Sequence, residues 1–362
     1  MFSGVTVRWT DGLRLLPAVL AARVIPGGRP YKMLLSLTDR CNLRCNHCFT
    51  WKRTAGTEMS PDEAYRLLAG LPSLRWLDLT GGEPTLRPDR DAMADAVRAA
   101  TVDRLAFLHF ATNGFDPAAS VAFADRLHRQ GDPPLVVTVS LDGDPTTHDA
   151  LRGRRGSFDR AVETARALDK RPGITVYVGT TVTPANADRL DATAVALTRV
   201  LPGLVPDRWH VNLMNRSQHF FGNAGASLPT AVQVRVALDQ VDRIRGRSLD
   251  PFALLERAFL NGLRRHLRDS RPPVLCQALS ASVFVSPTGI VHPCHVLDEP
   301  VGDLRDAGFD LERVLSGDRA RAARARVLRG CGQCWTPCEA YHALLGSPLT
   351  AVRLALEPSA RP

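Results

Sequence analysis

Long apolar runs are missing from this 362-residue chain. None approaches the roughly 20 residues that a membrane-spanning helix needs. Residues 13–25 (LRLLPAVLAARVI) come nearest, but Arg14, Pro17 and Arg23 interrupt them, and Asp11 spoils the positive flank of a signal peptide. The segment reads instead as an amphipathic helix in an N-terminal extension over 1–30, resting on the body of the protein or on a membrane surface. Lysine is scarce too, confined to Lys32, Lys52 and Lys170. The net charge of +9 therefore rests on scattered arginines, a compositional bias rather than a basic patch, and no nucleic-acid partner is expected. No P-loop, dinucleotide-binding GxGxxG or Ser-His-Asp signature is present. Cysteine is absent from 49–275, and that gap is informative.

The eight cysteines lie at the two ends of the gap. Cys41, Cys45 and Cys48 precede it; Cys276, Cys294, Cys331, Cys334 and Cys338 follow it. A secreted disulfide framework is short and spreads its cysteines, so this clustering reads as metal binding in a reducing, cytoplasmic compartment. With 44% apolar and 23% charged residues the chain is globular, long enough for one large domain and a smaller one.

Between the cysteine groups, strand and helix alternate. Apolar runs ending in turn residues predict strands over 33–38, 75–80, 105–112, 135–141, 174–181 and 208–214. Helices are expected near 60–70, 88–100, 117–130, 157–169 and 186–200. Ser60, Pro61 and Glu63 form a capping box at the first of these. Such alternation implies right-handed βαβ units and a parallel sheet, either an open sheet or a partial (β/α) barrel. One face of the strands is polar or small: Ser36 and Thr38; Asp78 and Thr80; His109, Ala111 and Asn113; Thr138, Ser140 and Asp142; His210, Asn212 and Met214. A packed barrel interior would carry bulky branched side chains there, so this face is expected to line a wet or ligand-filled cavity.

The motif Cys41-x3-Cys45-x2-Cys48 follows the first strand. Three thiolates this close can grip three corners of a [4Fe–4S] cube and leave one iron open. Spacing alone also allows zinc, held with His47 or a fourth cysteine. The second strand ends in Thr80-Gly81-Gly82-Glu83-Pro84, where glycines permit close backbone approach and Glu83 offers a carboxylate to a cationic amine.

Together these residues resemble the radical S-adenosylmethionine (SAM) superfamily, over residues 33 to about 215. The resemblance implies that Cys41, Cys45 and Cys48 hold a [4Fe–4S] cluster whose free iron chelates SAM. It makes Gly81, Gly82 and Glu83 the amine site and places Ser140 and Asp142 near the ribose. Asn113, at the end of the third strand, joins the SAM-binding candidates, and Arg152, in a loop after the fourth, is a candidate for the SAM carboxylate or a substrate anion. The implied fold is a partial (β/α)6 barrel over 31–215, and the implied chemistry is hydrogen-atom abstraction by a 5′-deoxyadenosyl radical. His109, His210, Asn212 and Met214 are the candidate substrate residues.

After a helical linker over 216–273, the region 274–346 resembles an auxiliary-cluster domain of the SPASM or shorter twitch type, with a β-hairpin turning at Thr288-Gly289 and helices. Five cysteines, with no further cysteine after Cys338, imply one auxiliary [4Fe–4S] cluster rather than two. Cys276, Cys294 and Cys334 are expected ligands, with Cys331 or Cys338 the fourth. Residues 347–362 read as a tail. The cofactors implied are thus SAM and two [4Fe–4S] clusters, with a flavodoxin or ferredoxin as reductant. The first expectation for the substrate is a small molecule, a sugar- or cyclitol-like alcohol undergoing dehydrogenation or epimerisation. The alternative is a ribosomally made peptide, for which residues 1–30 are too few to form a recognition domain; a non-enzymatic zinc or iron–sulfur protein is a distant third.

Overall fold

The computed structural model describes residues 12–24, 29–54, 56–204, 206, 208–244, 248–331 and 334–357. Six parallel strands follow the predicted order: β1 (Lys32–Ser36), β2 (Trp76–Thr80), β3 (Phe107–Thr112), β4 (Leu135–Ser140), β5 (Ile174–Val182) and β6 (Trp209–Leu213). Each pairs with the next in parallel register. The sheet continues on the other side of β1 through β7 (Ser282–Val285), β8 (Ile290–His292) and β9 (Gly302–Asp303), giving the order β6-β5-β4-β3-β2-β1-β7-β8-β9. The sheet does not close. The β7–β8 hairpin of the C-terminal region therefore extends the barrel sheet itself, with Lys32 opposite Ser282.

Alternation decides what each strand face does. Leu77, Leu79, Val137, Val139, Leu141 and Val211 are buried in the main hydrophobic cluster with the helices outside the sheet. The residues between them point inward. The helix Pro61–Ala69 starts as its sequence predicts: Ser60 Oγ accepts from the Glu63 N–H at 3.2 Å, and the Glu63 carboxylate accepts from the Ser60 N–H at 2.8 Å.

Two segments differ from the sequence reading. The segment ending at Arg152, expected as a loop, is a helix, α5 (Pro145–Arg152), after α1–α4 (Leu16–Val24, Pro61–Ala69, Arg90–Thr101 and Pro117–Leu127). Asp144 caps it by accepting from the Thr146 and Thr147 N–H groups, and left-handed Gly153 ends it. Eight residues are too few to show a helical period, so only the capping chemistry announced it. The expected tail contains a helix, Pro348–Leu356, whose Leu354 and Ala355 are buried. It packs on the helix Pro251–Asp269, where Asn261 Nδ2 donates to the Leu354 carbonyl at 2.8 Å.

The amphipathic N-terminal helix rests on the protein body. Leu15 and Val19 pack with Tyr31, Trp76, Ala106, Val136, Tyr177 and Ala281, residues at or near the N-terminal ends of the strands. The helix thereby closes the lower end of the barrel, while Leu13, Leu16 and Leu20 remain exposed. No described helix is long and apolar enough to cross a membrane. Leu15→Ala should cost about 2–5 kcal/mol, the usual loss for a buried leucine that leaves a cavity, read as a lowered midpoint of denaturant unfolding.

Candidate active site

The cluster-motif segment from Cys41 to Cys48 has no helix or strand of its own, so its backbone polar groups must be satisfied from outside. The end of α5 supplies two partners: Arg44 N–H donates to the Arg152 carbonyl at 3.1 Å and Asn46 N–H to the Leu151 carbonyl at 2.9 Å. Asn223 Nδ2 donates to the His47 carbonyl at 2.8 Å. Phe49 N–H donates to the Phe221 carbonyl at 2.7 Å. Asn113 Nδ2 reaches Asn42 Oδ1 at 2.8 Å and lies 3.9 Å from Cys41 Sγ.

The two glycines after β2 hold this segment from below. Gly81 has φ of 136°, and a Cβ there would stand 2.5 Å from the Thr38 carbonyl oxygen. A Cβ on Gly82 would stand 2.3 Å from the Arg40 carbonyl oxygen. The close approach that demands glycine is thus to the backbone leading into the cysteines. Glu83, 1% exposed, also turns inward. Its carboxylate accepts from Thr85 Oγ1 at 2.8 Å, Thr112 Oγ1 at 3.0 Å and the Asn113 N–H at 2.7 Å. It joins the ends of β2 and β3 and is not among the cavity-lining residues, unlike the amine-facing carboxylate expected of it.

Cys41, Cys45 and Cys48 line one cavity of about 230 Å³. Its walls include Thr80, Gly81, Gly82, Asn113, Ser140, Arg152 and Met214. Of the two ribose-side candidates, Ser140 lines the cavity, whereas Asp142 lies behind it. Asp142 pairs with Arg152 Nε at 2.7 Å, both groups being buried, and accepts from the Thr181 N–H at 2.9 Å. Burial pushes the Asp142 carboxyl up, but the Arg152 guanidinium, His47, His148 and the Thr181 N–H together outweigh it and hold the group below the usual carboxylate range. Arg152 Nη1 lies 3.9 Å from Cys45 Sγ, so this guanidinium also sits against the thiol.

The cavity fits the group that the motif implies. Burial raises the Cys41 thiol to about 12 and raises Cys45 as well, so these ligands ionise only against a cationic centre. Among the described residues His295, 2% exposed, leaves Nδ1 without a hydrogen-bond partner at this cavity, and Asn212 leaves Oδ1 so. These are donors and acceptors still open to a polar ligand.

A second cavity, also about 230 Å³, lies deeper in the barrel and meets the first at Ala111, Asn212 and Cys338. His109 and His210 line this one, Asn212 lines both, and Met214 lines only the cofactor side. Sequence reasoning missed Lys32, Glu256 and Tyr341. Lys32, 1% exposed, places Nζ 3.3 Å from Asp78 Oδ2 and 2.6 Å from the Cys338 carbonyl oxygen. His109 bridges Asp78 and Thr138 at 3.0 and 2.9 Å. His210 Nδ1 lies 2.9 Å from Glu256 Oε2 and 3.0 Å from the Tyr341 hydroxyl, which also donates to Glu256. Only the alternation of β1 could have announced Lys32, since it puts that residue on the inward face with Ser36; Glu256 and Tyr341 arrive from distant helices.

The C-terminal thiols divide. Cys276, Cys294 and Cys331 pack around Ala278 and Val327, and Cys334 is close enough to feel the charges of Cys294 and Cys331. Cys338 stands apart in the first turn of the helix Pro337–Leu345, on the wall of both barrel cavities. Burial raises the Cys276, Cys294 and Cys334 thiols well above their ordinary value.

Glu339, next in the chain, accepts from Ser282 Oγ at 2.8 Å, and burial pushes its carboxyl up to about 7. The unfolded chain releases this proton near the ordinary glutamate value of about 4.3 and the folded chain only near 7, so stability falls as pH rises between them. Glu339→Gln should remove a slope of about 1.4 kcal/mol per pH unit over that window, measured by denaturant unfolding from pH 4.5 to 8. The variant and the parent should differ most above pH 7.

A model of the radical SAM superfamily matches residues 35–195, and a model of SPASM, an iron–sulfur cluster-binding domain, matches 276–338. Pre-heme d1 synthase of Dinoroseobacter shibae is 35% identical over 171 residues, which are 46% of this chain and 40% of that protein. The chain thus spans under half the length of this relative. AdoMet-dependent heme synthase of Nitratidesulfovibrio vulgaris is 25% identical over 350 residues, covering 91% of this chain and 90% of its own length. PqqA peptide cyclase of Streptomyces rochei is 28% identical over 333 residues, covering 86% and 81%. Among solved structures, anSMEcpe with bound AdoMet and the Kp18Cys peptide has a TM-score of 0.59 at 15% identity, covering 90% of this chain and 99% of that one. The chain belongs to the radical SAM superfamily, carries a C-terminal SPASM domain, and binds S-adenosylmethionine and iron–sulfur clusters.

Proposed function

We propose that this enzyme is a maturase that modifies one side chain of a peptide by radical chemistry. The observation that carries this reading is the inner cavity of about 230 Å³, smaller than the roughly 300–1,000 Å³ of sites that enclose a whole drug-sized ligand. It suits a single side chain reaching in from an extended backbone and is too small for a tetrapyrrole macrocycle. Likeness to PqqA peptide cyclase over most of both chains supports it, as does the fold shared with a peptide-bound structure. The relatives favour this peptide reading over the sugar- or cyclitol-like alcohol that the sequence put first. A tetrapyrrole remains the second reading, because a heme synthase matches 91% of the chain; a propionate arm, rather than the ring, would then occupy the cavity.

In this reading Cys41, Cys45 and Cys48 hold the SAM-binding cluster, and Cys276, Cys294, Cys331 and Cys334 hold the auxiliary one. When bound, SAM supplies the carbon radical that removes a hydrogen atom from the substrate. Arg152, fixed by Asp142, keeps positive charge beside Cys45 and the cofactor. Trp76, Tyr177 and Phe252 give the inner cavity an aromatic wall, while Asp78, His109 and Lys32 keep one another paired. Glu256 and Tyr341 fix the His210 ring at that wall. A dry pocket with pre-oriented polar groups protects a radical from side reactions.

The test incubates anaerobically reconstituted enzyme with SAM, dithionite and each short peptide encoded beside its gene. A peptide that changes mass, or that gains one carbon-bound deuterium when turned over in D2O, together with 5′-deoxyadenosine supports the reading. Turnover stimulated by porphyrin precursors and by no peptide overturns it.

A further inference from the structure

In the proposed function seven of the eight cysteines belong to two clusters. Cys338 does not, and its position differs in kind from the others. It lies one residue past Pro337, where the chain enters a helix, and its carbonyl oxygen accepts from Lys32 Nζ at 2.6 Å. That contact draws the first helical turn onto the barrel floor, away from Cys276, Cys294 and Cys331, which pack together around Val327. Cys338 is half-buried and lines both barrel cavities at the point where they meet.

Two unpartnered polar groups mark the cofactor cavity that Cys338 lines as a ligand site. His295, 2% exposed and lining the cofactor cavity with Cys338, has its Nδ1 unpartnered among the described residues. Asn212 lines both cavities with Cys338, and its Oδ1 is likewise unpartnered. A thiol here stands between the pocket where a carbon radical is generated and the cavity where substrate sits.

We propose that Cys338 is a catalytic hydrogen-atom donor, delivering its thiol hydrogen to a carbon radical held at the junction of the two cavities. The S–H bond is weaker than the C–H bond that replaces it, so the transfer runs downhill. In that step the S–H bond breaks homolytically, the hydrogen and one electron go to carbon to form C–H, and a Cys338 thiyl radical remains. One electron from a low-potential donor, dithionite in the assay, and one proton from solvent return the thiyl to the thiol. The inference rests on the radical chemistry of the superfamily and does not depend on the substrate being a peptide.

The thiol hydrogen exchanges with solvent, whereas carbon-bound hydrogens do not, and this gives a direct readout. Reconstituted enzyme is supplied with SAM and dithionite in D2O without added substrate, so that the 5′-deoxyadenosyl radical itself serves as the probe. Wild type should form 5′-deoxyadenosine carrying one deuterium on carbon. Cys338→Ser, whose O–H bond is too strong to donate, should reduce deuterium per 5′-deoxyadenosine formed by at least five-fold while retaining about eight irons per chain. Cys338→Ala should do the same and serves if the serine variant misfolds. Equal labelling in wild type and variants overturns the proposal, as does unlabelled product from wild type. Loss of about four irons in Cys338→Ser also overturns it, since Cys338 would then be a cluster ligand. Failure of every peptide to react would sink the maturase reading and leave this result standing.

Discussion

The active site depends on an unstructured loop being held rigid by everything around it. Residues 41–48 must present three thiols in fixed directions, yet they make no ladder or helix of their own. Carbonyls at the end of α5, two asparagine side chains and the backbone near Phe221 supply the hydrogen bonds that regular structure would otherwise give. Glycine at positions 81 and 82 lets the β2 end press against the entrance to this loop, where any side chain would collide with the Thr38 or Arg40 carbonyl. The Asp142–Arg152 pair then fixes the far side. Breaking such a buried pair by removing one partner typically costs about 3–5 kcal/mol, because the other charge is stranded.

The same economy ties the C-terminal region to the barrel. Strand β7 pairs directly with β1, and Lys32 spans from Asp78 to the Cys338 carbonyl. The SPASM region is therefore positioned by sheet hydrogen bonds and a buried cation rather than by a surface contact. Its thiols and those of the cluster loop share one rigid frame.

Much of this was legible in the sequence, for identifiable reasons. All six barrel strands appear near their expected positions because inward polar and outward branched residues alternate along them. The cavity followed from the same alternation: Asp78, His109, Thr138, His210 and Asn212 all line it. What escaped depends on contacts between distant segments. Nothing local in Glu256 or Tyr341 signals that they meet His210 across the barrel. The GGE reading expected Glu83 to face an amine, whereas the tertiary fold gives its carboxylate to Thr85, Thr112 and Asn113. The spacing of Cys331, Cys334 and Cys338 could not distinguish ligand from bystander. Pro337 starts a helix that turns Cys338 toward the barrel, a placement that cysteine spacing does not announce.

The central claim is that three thiols serve the SAM-binding cluster and four serve the auxiliary cluster. Iron analysis of anaerobically reconstituted enzyme and single variants, paired with 5′-deoxyadenosine formation, tests it most directly. The account predicts about eight irons in the parent and about four in each of Cys45→Ala and Cys331→Ala, with SAM cleavage abolished in Cys45→Ala and retained in part in Cys331→Ala. Stoichiometric zinc without SAM cleavage in the parent, or about eight irons kept by Cys331→Ala, would contradict it.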